Sequence, residues 1–177
     1  MERPIAEEEF DRLLATPARS AFRLETRAEY SLGYEQIDFD QWLDGHPTPP
    51  PDLDWWRPWL EQIKRLTSEG KQVGRVRVLA EPPSDYQRWL LWADPWHAAA
   101  GEDIRYMTLS RAERVGLDLL NDWWLIDDEL VILMFFTRDG RIYRKIITDE
   151  PRAVARHREW RDLAVRNATP AERYAAA

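Results

Sequence analysis

The segment Val73-Gly74-Arg75-Val76-Arg77-Val78-Leu79-Ala80 constrains this chain more than any other. Its β-branched content reads as a strand. The two-residue period of a strand puts Val76 and Val78 on one face and Arg75 and Arg77 on the other. Valines on one face place the strand in a core, so two arginines enter or border that core from the opposite side. A desolvated, unpaired charge costs several kcal/mol or more, and the fold must therefore bring carboxylates to these guanidiniums. Glu81, Asp85 and the pair Asp127-Asp128 are candidates. Alternatively, the arginines lie beneath an N-terminal arm and pair with its surplus acids as ordinary ion pairs.

Elements on either side fit a single α+β domain. Ala6 to Leu14 places acids ahead of Phe10, Leu13 and Leu14, the order of a short helix whose negative start suits its dipole. Ala21 to Tyr34 alternates loosely and reads as extended segments around Glu29, with a helix as the alternative. His46-Pro47-Thr48-Pro49-Pro50-Pro51 cannot be helical and serves as a semi-rigid connector. Trp55, Trp56, Trp59, Leu60, Ile63 and Leu66 recur at helical spacing after Asp54 and stop at Gly70. Ser84 is a capping residue for a helix through Trp92. Ile104 to Leu109 offers a strand, and the apolar runs Trp123 to Asp127, Leu130 to Phe136 and Arg141 to Ile147 form an antiparallel meander. Glu150-Pro151 opens a last helix. The expected fold is a mixed or mainly antiparallel sheet of about five strands flanked by helices. Residues 1–52 are read as an acidic N-terminal extension packed on a core of residues 53–177, and Ala175-Ala176-Ala177 as a dispensable tail.

Composition excludes several classes. The chain has no cysteine and three histidines, His46, His97 and His157, so disulfides, thiolate metal sites and cysteine nucleophiles are out, and no metal or other cofactor is expected. No run approaches the roughly 18 apolar residues of a membrane helix, and the first residues lack a signal peptide's order; the expected location is cytoplasmic. The net charge of -7 works against direct nucleic-acid binding, because phosphate contacts dominate that affinity. Nine bases against five acids in residues 138–166 make only a modest patch.

If the carboxyl end of the Val73–Ala80 strand borders a cleft, as ligand sites in open α/β sheets do, then Arg75, Arg77, Glu81, Ser84, Asp85, Tyr86 and Arg88 converge there, with Asp127 within reach. That set suits an anionic or zwitterionic small molecule. Asp127-Asp128-Glu129 resembles a hard-cation cluster only superficially, since consecutive residues in a tight turn rarely aim at one point; a solvated turn is the expectation. Ten tryptophans exceed what one small core usually hides, and some are expected to face a partner.

Two resemblances follow from these motifs. Arg75-Val76-Arg77-Val78, Glu81-Pro82, Ser84-Asp85-Tyr86-Gln87-Arg88, Gly101-Glu102-Asp103-Ile104 and Trp124-Leu125-Ile126-Asp127 resemble, over nearly the full length, an actinobacterial domain family of unknown function. Its members are often encoded beside helix-turn-helix regulators, which implies such a regulator as a partner. Residues 73–170 look like a phospholipase D-like half-domain, a unit that also occurs as a catalytically dead sensor. Active members carry His-x-Lys-x(4)-Asp. Placing its Asp on Asp127 puts Leu120 at the His and Asp122 at the Lys position; using Asp128 gives Asn121 and Trp123. Neither register supplies an imidazole nucleophile.

The expected function is a non-catalytic regulatory or binding module that senses a small anionic ligand or docks a regulatory protein. The alternatives are an enzyme acting on an anionic small molecule through Arg75, Arg77, Glu81 and Asp85, with Asp127 in reserve, and a structural or immunity-type protein whose acidic residues 1–54 cover a partner's surface.

Overall fold

The computed structural model describes residues 2–174; the Ala175-Ala176-Ala177 tail lies outside the described residues. One mixed sheet organises the chain. Its strands are β1 (Glu2–Pro4), β2 (Ser20–Glu25), β3 (Gln72–Leu79), β4 (Asp103–Thr108), β5 (Asp122–Ile126), β6 (Leu130–Phe136), β7 (Ile142–Thr148) and β8 (Thr169–Pro170). They lie in the order β1-β7-β6-β5-β2-β3-β4-β8. β2, β3 and β4 run parallel, and the other pairings are antiparallel. The sheet has eight strands where about five are expected from sequence. β1 and β8 are three and two residues long, too short to show a period.

Seven helices flank the sheet among the described residues: α1 (Glu7–Ala15), α2 (Gln36–Leu43), α3 (Arg57–Ser68), α4 (Asp85–Ala99), α5 (Leu109–Arg114), α6 (Pro151–Asn167) and α7 (Ala171–Tyr174). Pleating divides the core. On one face Phe22, Leu24, Val76, Val78, Trp123, Leu125 and Val131 meet Ala112 of α5 and Val154 and Ala164 of α6. On the other, Trp124, Ile126 and Ile132 meet Phe10 and Leu14 of α1, and Val73 meets Ile63 and Leu66 of α3. Val76 and Val78 thus share one face of β3 and the arginines take the other. None of these helices is long and apolar enough to cross a membrane.

The boundary at residue 52 does not divide the sheet. β2 sits between β3 and β5, pairing with β3 from Ser20↔Gln72 to Glu25↔Arg77 and with β5 from Ala21↔Ile126 to Leu24↔Trp123. The first 52 residues therefore supply a central strand rather than an appendage. The loose alternation of residues 21–34 concealed this, because Arg23 and Glu25 occupy inward positions where a core strand usually carries apolar side chains.

Local chemistry fixes the ends of several elements. Ser84 Oγ accepts from the Gln87 amide while the Gln87 side chain reaches back to the Ser84 amide, a complete capping box for α4. At the β5–β6 turn Asp127 and Asp128 adopt left-handed backbone, with φ of 57° and 61°, a conformation that Asp tolerates better than most residues. The Asp127 carboxylate accepts from the amides of Ala18, Arg19 and Ser20 at 2.9, 2.6 and 2.9 Å. This turn is therefore an anchor for the start of β2 rather than only a solvated loop.

A fragment of residues 53–177 lacks both ladders that β2 makes. We expect it to show no cooperative thermal transition by circular dichroism, whereas a chain lacking only residues 1–4, and so only the three-residue edge strand, retains one. A cooperative melt of the 53–177 fragment would contradict this placement.

Candidate functional site

The inward face of β2 and β3 carries Arg23, Glu25, Arg75 and Arg77. Cross-strand register sets Arg23 beside Arg75 and Glu25 beside Arg77. Glu25 lies between all three arginines: Oε1 accepts from Arg75 Nη1 at 3.2 Å, Oε2 accepts from Arg77 Nη1, and Arg23 Nε is 3.1 Å from Oε1. Further acids complete the cluster. Arg77 donates through Nε and Nη2 to the two oxygens of Asp94 in α4, at 3.0 and 2.9 Å, and Tyr106 Oη donates to the same carboxylate at 2.6 Å. Arg75 Nε donates to Glu102 at 2.5 Å. Fork-to-carboxylate pairs of this kind are the charge-assisted bonds that satisfy a buried guanidinium.

Glu102 is placed by Gly101, whose φ of +104° turns the chain out of α4 and whose absent Cβ would lie 2.6 Å from Thr67 Oγ1. Glu102 also meets His97 Nδ1 at 2.8 Å. Trp56 Nε1 points at His97 Nε2 at 2.7 Å. An indole N–H can only donate, so Nε2 accepts and the ring proton sits on Nδ1, directed at Glu102.

Electrostatics follow from this geometry. Burial opposes ionisation of Glu25, but Arg23, Arg77 and Arg75 outweigh it and hold the carboxyl down at about 2. Glu102 is likewise held at about 2, burial being outweighed by Arg75 and His97. Burial raises Asp122, against the pull of Arg23 and the Tyr30 hydroxyl. Burial also lifts Glu35 to about 7, partly offset by the hydrogen bond from Tyr86, whose hydroxyl donates to it at 2.7 Å.

A cleft of about 550 Å³ opens onto this cluster. Arg23, Glu25, Arg75, Arg77 and His97 form its floor, and Tyr30, Tyr34, Trp55, Trp56, Trp59, Trp124 and Phe136 line it, with Glu35, Glu7 and Lys145 also in its wall. The rings are held in place: Trp55 donates to Asp38 at 2.7 Å, and the loop carrying Tyr30 is clasped by Gly140, where a Cβ would meet Tyr30 Cα at 3.0 Å. Two buried donors of the lining, Arg23 Nε and Trp124 Nε1, lack a hydrogen-bond acceptor among the described residues. Arg23 has charge partners only, Glu25 and, at 3.7 Å, Asp122, and its guanidinium carbon sits 5.5 Å from the Trp124 ring.

Of the residues singled out from sequence, Arg75, Arg77 and Tyr86 line this cleft and the others do not. Glu81 accepts from the Ser110 amide and hydroxyl at 2.8 and 3.0 Å; Ser84 caps α4; Asp85 and Arg88 form an exposed pair; Asp127 anchors β2. The cleft lies over the middle of β3, at Arg75 and Arg77, and reaches the carboxyl end of β2 at Glu25 and the loop from Tyr30 to Glu35, rather than the carboxyl end of β3. The arginines' carboxylates are Glu25, Asp94 and Glu102, in place of Glu81, Asp85 and Asp127-Asp128. One of them, Glu25, belongs to the N-terminal segment, as the arm reading expects. Arg23 and Glu25 escaped notice because a charged pair two residues apart reads as a surface strand. Asp94 is a single acid inside an aromatic helix, and only its burial distinguishes it. No tryptophan among the ten is freely exposed; the indoles serve the cleft wall and the cores.

A second, more polar cleft of about 460 Å³ lies between Thr26–Glu29, Leu119–Asp122 and Met134–Gly140. It contains Leu120 and Asp122, the His and Lys positions when the Asp of the phospholipase D pattern is placed on Asp127, and Asn121 but not Trp123 of the register on Asp128. Leu120, 82% exposed, stands at the nucleophile position, and Asp122 at the lysine position accepts from the Thr26 amide and hydroxyl at 2.9 and 2.8 Å and from Tyr30 at 2.5 Å. His46 is exposed on the proline loop, His97 belongs to the ion cluster and His157 to α6.

The shifted acids define a pH profile. Glu25 and Glu102, depressed in the folded protein, contribute stability above the ordinary carboxylate range that is lost as pH falls toward 2. Glu35, raised, contributes stability at acid pH that is lost as pH rises through about 7, on the order of 3 kcal/mol. We expect the melting temperature to peak near pH 5 and to decline by pH 8. In Glu35→Gln the alkaline decline should flatten while the acid limb persists; parallel profiles for the two proteins would refute the assignment.

Comparison with solved structures shows a shared fold. NucT from Helicobacter pylori superposes with a TM-score of 0.53 at 12% identity, covering 96% of this chain and 97% of that one. Nuc from Salmonella typhimurium, a phospholipase D family member, gives 0.53 at 12%, covering 96% and 98%. The chain thus has a phospholipase D-like fold. No curated protein matches it in sequence. The model of the family described as "Domain of unknown function (DUF6879)" matches residues 8–176, and the chain belongs to that family.

Proposed function

We propose that this protein is a non-catalytic binding module whose aromatic-walled cleft takes up a small anionic ligand. The observation that carries this reading is the Arg23 guanidinium in the cleft lining, 19% exposed, in charge contact with Glu25 and Asp122 but making no hydrogen bond among the described residues, beside the unpaired Trp124 Nε1. Buried N–H groups are nearly always hydrogen-bonded; these two atoms are themselves closed to solvent, and it is the partly exposed remainder of the Arg23 guanidinium that an acceptor in the cleft meets. A volume of about 550 Å³ and a mostly apolar wall with a few convergent polar groups are the ordinary attributes of a ligand site. The catalytic reading loses support where Leu120 and Asp122 occupy the nucleophile and lysine positions of the phospholipase D pattern.

The output of such a sensor is a protein contact. Between Arg27 and Arg57 the chain has no Lys or Arg, and it carries Glu29, Glu35, Asp38, Asp40, Asp44, Asp52 and Asp54. Tyr34, Ile37 and Leu43 are exposed on the same stretch. An acidic surface with apolar side chains suits a basic protein partner, such as a DNA-binding regulator, and repels nucleic acid itself.

Arg75 and Arg77 are poor probes of binding, because removing either leaves buried carboxylates unpaired at about 3–5 kcal/mol. Arg23 is the better one. Protein purified from cells that express it natively should release a small acidic molecule on denaturation, recovered in much lower yield from Arg23→Gln. Adding that molecule at a hundredfold over its Kd should stabilise the wild type by about 2.7 kcal/mol, roughly 5–10 °C for a chain of this size. Equal recovery from both proteins, or equal stabilisation of both, would overturn the reading.

A further inference from the structure

We infer that the ligand is a flat aromatic ring system bearing a single acidic group, its ring lying against the Tyr34–Trp55 side of the cleft and its acid on Arg23. This rests on the reading of the cleft as a ligand site and adds the chemical class.

The ring follows from the wall. Trp55 and Trp56 stack at 4.6 Å with planes 25° apart, Tyr34 packs on Trp55 at 5.1 Å, and Trp59 meets Trp124 edge-on at 6.0 Å. Hydrogen bonds to Asp38 and His97 fix Trp55 and Trp56, so the wall offers rigid π-surfaces rather than side chains that can mould themselves to a flexible chain. A planar guest gains edge and face contacts with such a wall worth roughly two- to tenfold in affinity per ring pair, beyond the area it buries. An aliphatic guest gains the burial alone and loses rotamer freedom as well.

The acid, and its sign, follow from a count of donors and acceptors. Of the acids that line the cleft, Glu25 is engaged by Arg75 and Arg77, Glu35 by Tyr86 and Glu7 by Lys145, and Asp11 is solvent-exposed; behind the lining, Asp94 is engaged by Arg77 and Tyr106, Glu102 by Arg75 and His97, and Asp122 by Thr26 and Tyr30. What is left over in this lining is donors, on Arg23 and Trp124; Arg27 Nε and Trp123 Nε1 are also unpaired but lie outside it. A cationic head would add donors to a floor already in surplus; an oxyanion meets the shortage. That the acid is single follows from Arg75 and Arg77, whose forks are committed to Glu25, Asp94 and Glu102, and from Glu25 and Glu35, which would face any second negative charge.

Four probes separate these elements by titration calorimetry: 2-naphthoate, 2-naphthamide, 2-naphthylmethylammonium and nonanoate. The expected result is that 2-naphthoate binds at least tenfold more tightly than the other three. In Arg23→Gln its affinity should drop at least tenfold, to that of the amide. In Tyr34→Ala, a change at a residue 60% exposed that the fold tolerates, naphthoate and naphthamide should weaken alike, leaving their ratio intact. Preference for the ammonium or for nonanoate would overturn the aromatic-acid class while leaving the cleft as a ligand site. Absence of binding by all four would overturn the inference outright, and the released-molecule experiment on the native protein then decides separately whether the cleft binds any ligand. An Arg23→Gln protein that retains the naphthoate preference would remove Arg23 from the acid's position.

Discussion

Everything on the inward face of this sheet depends on one carboxylate. Glu25, at the end of β2, is 5% exposed and contacts Arg23, Arg75 and Arg77 together. Three guanidiniums side by side on adjacent strands would repel one another strongly at the low effective dielectric of an interior. Glu25 converts that repulsion into attraction, and Asp94 and Glu102 distribute the remaining charge toward α4 and the start of β4. The cluster thereby ties β2 and β3 to α4 through forked hydrogen bonds of defined direction, fixing where α4 sits. α4 in turn supplies Tyr86, Trp89 and His97 to the aromatic cluster around Trp56. Buried ion networks contribute little net stability relative to apolar packing of similar volume; here the network sets geometry around a cleft.

Much of the fold could be read from the sequence, and what was missed has a common cause. The α3 and α6 helices, the valine strand, the capping at Ser84 and the β5–β6–β7 meander are carried by local signals: period, cap residues and turn chemistry. β2 lacks such a signal, because two of its inward positions are Arg23 and Glu25, so a central strand looks like part of an acidic extension. The same two residues were absent from the expected site for the same reason. Arg75 and Arg77 were legible because valines flank them, but their partners were not. Glu102 is five residues from His97 and Asp94 is seventeen from Arg77; neither spacing follows a helical or strand period relative to its partner. Local pattern identifies a group that needs compensation, and only the tertiary fold decides which residue provides it.

The two clefts differ in how their side chains are engaged. The hairpin of β5 and β6 borders the cleft around Leu120, Asn121 and Asp122. Asp122 there is locked to Thr26 and Tyr30, and Asp127 is occupied with the amides that start β2. The side chains at these positions do structural work. Donors without a hydrogen-bond acceptor border both clefts, Arg23 Nε and Trp124 Nε1 the aromatic-walled one and Arg27 Nε the polar one. Function resides in sites rather than in folds, and what sets the first cleft apart is a wall of rings over a charged floor rather than its unpaired donors.

Arg23 connects these parts. It reaches Glu25 in the ion cluster, Asp122 at the edge of the second cleft, and the faces of Trp124 and Tyr30 in the aromatic wall. An anion on Arg23 competes with both carboxylates for the same guanidinium. Of the two, Asp122 has the weaker claim, at 3.7 Å, and is the one whose protonation burial already favours. On the proposed reading, ligand charge is accommodated by releasing Arg23 from Asp122 while Glu25 keeps Arg75 and Arg77. Asp122 is hydrogen-bonded to Tyr30, whose loop leads to Tyr34, Glu35 and α2, the acidic, largely uncovered helix. On the proposed reading, a charge arriving in the cleft acts through the Arg23–Asp122 charge contact and the hydrogen bond from Tyr30 to Asp122 on the loop that leads to α2.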